Sequence, residues 1–203
     1  TYTVLAMDHY GTNTGDYWLH CQRTNGPIGA TFLSYNQTLS GDWTHPAETD
    51  AFTFSGADSD LLLARLVETA ATTEPLLRLY DSQGVQITGD VHNYLAELPP
   101  TDLPGTGTYT LLAMDDPGTD TGGYWLHLQR TNNPVGASAL TFGQTVAGSV
   151  AQRAQTIPYT LAAATADRVL FRLAKDPGTP SLFIKIRIYR PDGTLLVSST
   201  GGY

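Results

Sequence analysis

The chain has 203 residues, 19 acidic against 11 basic side chains and a formal net charge of −8; this excludes a phosphate-tracking surface, because nucleic-acid binding draws on clustered cations. Cys21 is the single cysteine, so neither an intramolecular disulfide nor a cysteine-based zinc site is available. No apolar run reaches membrane-spanning length, and no basic stretch leading into an apolar one opens the chain, so membrane insertion is not expected.

The first thirty residues, TYTVLAMDHYGTNTGDYWLHCQRTNGPIGA, return at 108–137 as TYTLLAMDDPGTDTGGYWLHLQRTNNPVGA, with about 22 positions identical at an offset of 107 residues. A self-match of that length marks a tandem array of domain-sized units, each able to bury a core, and excludes short solenoid repeats. Within it, Tyr2, Val4 and Ala6 alternate with Thr3, Leu5 and Met7, then HYGTNTGD supplies turn residues, then Tyr17, Leu19 and Cys21 alternate with Trp18, His20 and Gln22. Period-two alternation on both sides of a turn predicts two strands forming a hairpin.

From Ala30 onward no window carries a 3.6 period, and the reading is all-β. Strands are expected near 31–33, 37–40, 51–55, 61–67, 76–80, 85–88 and 94–98, with Pro46, Pro75, Pro99, Pro100 and Pro104 between them. DSQG at 81–84 reads as a tight hairpin turn, and RPDG at 190–193 as its counterpart. The opening hairpin then recurs at 105–114 and 124–129 and closes a unit of eight or nine strands, a count that suits a two-layer sandwich or jelly roll.

The next unit follows the first: QTVAG at 144–148 answers QTLSG at 37–41, PYTL at 158–161 answers AFTF at 51–54, and RIYRPDG at 187–193 answers RLYDSQG at 78–84 after a two-residue insertion. Tyr203 corresponds to Tyr94. The expected division is a terminal hairpin at 1–25 belonging to a preceding or neighbouring sandwich, a complete sandwich at 26–132, and at 133–203 a sandwich without its last strands. The chain thus reads as a processed or excised piece, and few lysines with many threonines, glycines and tyrosines suit an extracellular protein.

Taken together, DAFTFSG at 50–56, LLRLYDSQG at 76–84, LPGTGTYTLLA at 103–113 and GGYWLHLQ at 122–129 resemble, in order and spacing, the bacterial pre-peptidase C-terminal domains. The resemblance implies a secreted β-sandwich without catalytic residues, appended to exported enzymes or strung along surface proteins. It also implies that calcium or a polymer is a ligand class to consider, although no ligand set carries over residue by residue.

Asp8, Asn13 and Asp16 in one turn, and Asp115, Asp116 and Asp120 in the other, are oxygen donors of the kind calcium takes. Neither loop ends in an acidic anchor, so turn chemistry is the leading reading and no cofactor is expected. His20 and His127 occupy equivalent positions, but no nucleophile elbow, HExxH or supported carboxylate pair accompanies them, and the chain is read as no enzyme. Asn36 heads one N-glycosylation sequon, replaced by Gly143 in the second copy.

If Tyr17, Leu19 and Cys21 point inward, Trp18 and His20 face outward, and Leu5 and Met7 are expected on the same face; Leu112, Met114, Trp125 and His127 form the equivalent patch. Exposed apolar patches mark interaction surfaces. Two functions suit it. In the first, a non-enzymatic extracellular structural protein builds a fibre or surface array, its copies joined head to tail by strand complementation or as a continuous repeat chain. In the second, a secreted accessory module of an exported hydrolase holds carbohydrate or another polymer on Trp18 and Trp125.

Overall fold

A computed structural model describes residues 1–69, 72–179 and 181–201. Between residues 26 and 132 alternating apolar residues produce nine strands among the described residues: β1 Thr31–Phe32, β2 Gln37–Trp43, β3 Thr49–Gly56, β4 Leu61–Glu68, β5 Pro75–Tyr80, β6 Gln86–Val91, β7 Leu95–Asp102, β8 Gly107–Asp115 and β9 Gly122–Arg130. They form a five-stranded sheet in the order β1-β3-β8-β5-β6 and a four-stranded sheet in the order β2-β9-β4-β7. Every pairing is antiparallel except that of β1 with β3.

The core lies between the sheets. Phe52, Phe54, Leu77, Leu79, Tyr109 and Leu111 from one meet Leu62, Leu66, Leu98, Tyr124, Leu126 and Leu128 from the other. Each fully buried leucine contributes roughly 2 kcal/mol, so this layer dominates the stability of the unit. Trp43 stacks on Tyr124 with ring centroids 4.5 Å apart and donates its indole N–H to the Ala113 carbonyl. The Tyr124 hydroxyl donates to Asp50 at 2.5 Å. Its ring lies over Gly41, where an added Cβ would stand 2.2 Å from it; only a residue without a side chain fits under that tyrosine.

Two expectations are corrected. Pro75 opens β5, and Pro99 and Pro100 lie inside β7 rather than between strands. They are tolerated because β7 is the edge of its sheet, and the β4–β7 register shifts between Leu62 and Ala64 beside them. The second correction concerns the closing hairpin: β8 and β9 do not pair with each other. β8 lies between β3 and β5 in one sheet and β9 between β2 and β4 in the other, so the turn between them crosses the sandwich. Alternation gives the faces of a strand but not the sheet to which it belongs.

Residues 1–25 repeat the β8 and β9 sequences yet form no strand. Each of those strands is central, with its stability drawn from two neighbours, and at 1–25 neither has one.

After the complete unit come β10 Ser138–Leu140, β11 Tyr159–Leu161, β12 Ile184–Tyr189 and β13 Leu195–Gly201. β10 pairs with β11 in parallel, as β1 does with β3, and in the same register displaced by 107 residues: Thr31 opposite Phe52 returns as Ser138 opposite Tyr159. β12 pairs with β13 as β5 does with β6, displaced by 109: Arg78 opposite Gly89 returns as Arg187 opposite Ser198. Even the register shift at Leu79/Tyr80 returns at Ile188/Tyr189. In the complete unit β8 bridges β3 and β5; residues 133–203 hold no counterpart of it, and β11 and β12 lie in separate two-stranded sheets. Tyr203, expected as the counterpart of Tyr94, lies outside the described residues.

Candidate functional site

Core-facing Tyr124, Leu126 and Leu128 turn Trp125, His127 and Gln129 to the outer face of the four-stranded sheet. The register then places one polar residue of each strand side by side: Thr38 opposite His127, His127 opposite Arg65, and Arg65 opposite Glu97. This row crosses all four strands.

The row is covered by the unit that follows. Thr38 and Thr156 hold the two ring nitrogens of His127, at 2.8 Å on Nδ1 and 2.7 Å on Nε2. Arg65 donates to Glu97 at 3.0 Å and to the Ala154 carbonyl at 2.8 Å, and Arg187 reaches Glu97 at 2.6 Å. Arg153 adds bonds to the carbonyls of Glu68 and Thr69. His127 is fully buried; burial, and the Arg65 guanidinium beside it, push its pKa down to about 4. It is therefore a neutral ring at pH 7, and with both nitrogens engaged it acts as a fastener.

The linker between units is itself a built structure. Gln129 donates to the Val135 carbonyl at 3.0 Å, and its Oε1 accepts from the N–H groups of Arg130 and Val135. Gln22 makes the same three bonds to Ile28 and Arg23, at 2.9–3.0 Å. The Thr131 hydroxyl donates to the Gly193 carbonyl at 2.9 Å, and Thr24 to that of Gly84 at 3.0 Å. Gly29 and Gly136 share a φ of 71°. The two linkers, 107 residues apart, thus hold the following unit's turn in the same way.

The covering loop also recurs. Gln155 Oε1 accepts from the N–H groups of Ala151 and Gln152, as Glu48 Oε2 does from those of Thr44 and His45. Ala154 and Ala47 have φ of 62° and 61°. The 44–48 loop lies beside the 1–25 segment: Trp18, Leu19 and His20 line a shallow hollow with His45, Pro46 and Glu48, and the Trp18 and His45 rings are 5.1 Å apart.

The expected single apolar patch divides. Leu112 and Met114 stand on the outer face of the five-stranded sheet, where Leu112 is buried with Ala51 and Tyr80 and Met114 packs beside them. Trp125, half-buried, and His127 stand on the opposite outer face. They separate because β8 and β9 belong to different sheets. In the first copy Leu5, Met7 and Trp18 are 73%, 75% and 60% exposed, and His20 is exposed.

The acidic turns cap backbone. Asp115 accepts from the N–H groups of Glu74, Gly118 and Asp120 at 2.9–3.1 Å. Asp8 accepts from Thr12 and Asn13, bonds that hold its carboxyl below the usual range. Asp116 donates its own N–H to the Glu74 carbonyl. Among the described residues no three His, Cys, Asp or Glu side chains gather as a metal would need. Asn36 sits at φ 63° with its amide against Gly136 and its Oδ1 accepting from Gln129, so the sequon side chain is engaged at the linker.

Nothing local in the sequence marks Arg65, Glu97, Thr156 and Arg187, because a residue that bonds across units carries no pattern within its own strand or loop. The signal that could have found Gln129 and Thr131 is their return at the same offset as Gln22 and Thr24.

No family profile and no curated protein sequence matches the chain. Among solved structures it is similar to the pre-peptidase C-terminal domain of a collagenase from Bacillus anthracis, at 21% identity and a TM-score of 0.43, over 52% of this chain and 99% of that one. It is also similar to PliG, a periplasmic inhibitor of g-type lysozyme, from Aeromonas hydrophila, at 11% identity and a TM-score of 0.33 over 50% of this chain and 96% of that one. For PliG from Salmonella Typhimurium the values are 12% and 0.30, over 50% and 99%. In fold the chain is similar to a pre-peptidase C-terminal domain, the family that its sequence motifs resemble.

Proposed function

We propose that this chain is an exported, non-catalytic structural protein whose β-sandwiches stand head to tail in a fibre or surface array, by strand complementation between copies or along a continuous repeat chain. The observation that carries this reading is the repeated linker: Thr24 on Gly84 and Thr131 on Gly193, each within a loop that a glutamine closes. On this reading the same linker bonds set the same rotation and translation at every junction, and a repeated operator that does not close generates a filament. The polar row fits this role, since burying Thr38, His127, Arg65 and Glu97 under the next unit satisfies groups that fix orientation. Composition supports placement outside the cell.

Electron microscopy of the purified protein tests it. Fibres with an axial repeat of one sandwich are expected; dispersed particles that stay apart at high concentration overturn it. The polymer-holding reading is favoured by one observation, the exposed Trp18 ring beside His45. A change in tryptophan fluorescence on titration with glycans is its expected mark.

A further inference from the structure

We infer that residues 1–25 of a second copy of this chain supply the two central strands of the sandwich begun at 138–201, a conclusion that rests on the head-to-tail reading above. The register specifies the fit. In the complete unit Leu111 of β8 stands opposite Phe52 of β3 and Leu79 of β5. The equivalent residues are Val4, Tyr159 and Ile188, so Val4 of the incoming copy lies between β11 and β12 and joins the two pairs into one sheet. Tyr2 and Ala6 take the core positions of Tyr109 and Ala113.

In the other sheet β9 runs between β2 and β4. Its sequence equivalent, 15–23, runs between 144–150 and 168–175, two segments that form no strand in the structure. Tyr17 falls opposite Gly148 as Tyr124 does opposite Gly41, so the glycine that a tyrosine ring requires is retained. His20 falls beside Thr145 and Arg172, the equivalents of Thr38 and Arg65. Val169 and Leu173, at the core positions of Leu62 and Leu66, are 39% and 51% exposed, which leaves apolar side chains of this half-sandwich uncovered within one chain.

Side-chain size singles out this pairing. Ala64 of β4 stands opposite Leu128 of β9, both fully buried in the core. The equivalents are Phe171 and Cys21. A large residue replaces the small one on the receiving strand, and a small residue replaces the large one on the incoming strand. Cores tolerate exchanges that keep total volume and reject those that add to it. Cys21 therefore suits the Phe171 half-sandwich, and a leucine there would collide with the phenylalanine ring.

Two experiments on the 203-residue chain test this. Gln144 is the equivalent of Gln37, which stands opposite Leu128, so Gln144→Cys places a thiol across from Cys21 of the second copy. Oxidation is expected to yield a ladder of covalent multimers, lost in the Gln144→Cys, Cys21→Ser double variant. Separately, Cys21→Leu is expected to weaken association about tenfold or more, and Phe171→Ala added to it is expected to restore at least part of the loss. Circular dichroism checks that the sandwich at 26–132, which none of these changes touches, stays folded. Fibres that persist with no ladder and no effect of Cys21→Leu overturn this pairing while leaving the head-to-tail reading intact. A bond confined to single chains overturns it as well, and absence of any association overturns both.

Discussion

Glu97 on the edge strand of the complete sandwich is held at 3.0 Å by Arg65 of the same unit and at 2.6 Å by Arg187 of the next. One carboxylate thus shares two guanidinium groups across a unit boundary, and the boundary inherits their geometry. Such a bond fixes orientation more than it stabilises, because both partners retain part of their solvent contact.

Arg187→Ala is accordingly expected to cost on the order of 0.5–1 kcal/mol at the junction and little in the sandwich at 26–132. Limited proteolysis reads this: cleavage within 133–201 should accelerate while the complete unit stays resistant.

His127 makes the junction pH-dependent. Its pKa falls to about 4 in the folded state, so as pH drops below about 6.5 the unfolded chain takes up a proton first. Stability is unaffected by this residue above that value and is expected to fall by on the order of 3 kcal/mol between pH 6.5 and 4. Urea unfolding of the parent chain and His127→Gln across that range checks it: the variant starts less stable, and its loss over the same interval is expected to be smaller.

Tyr124→Phe removes the hydrogen bond that Asp50 accepts inside the sandwich. Burial raises the Asp50 pKa while the Tyr124 bond opposes that rise, so the variant should titrate Asp50 higher still. A stability loss of about 1–3 kcal/mol is expected at pH 7, smaller at pH 3, which lies below the ordinary carboxylate value that burial raises at Asp50. Urea midpoints at the two pH values, with the carboxyl followed by NMR, measure both effects.

Gly193 meets the linker at φ 84°, and a Cβ on it would stand 2.9 Å from the Asn132 backbone nitrogen. Gly193→Ala is therefore expected to open the junction both by strain at positive φ and by collision. Thr131→Val, which removes only the hydroxyl bonded to Gly193, should cost about 1 kcal/mol. Amide exchange at residues 129–136 should rise in both variants, more in the first.

Much was legible in sequence. The alternation of Tyr2, Val4 and Ala6, and of Tyr17, Leu19 and Cys21, marks the positions that the second copy buries as Tyr109, Leu111 and Ala113 and as Tyr124, Leu126 and Leu128, and the 107-residue self-match showed that 1–25 and 108–132 are versions of one segment. These are local properties: side-chain period and identity, which a strand keeps wherever it is placed. What only the tertiary structure decided is where each strand goes. Leu112 and Trp125 lie on opposite faces because β8 and β9 enter different sheets, and Thr156, Ala154 and Arg187 lie over His127, Arg65 and Glu97 because a locked linker carries the next unit there. Sheet membership and the approach of distant segments follow from how two layers enclose one core, a balance of burial summed over the whole chain that no window of sequence contains.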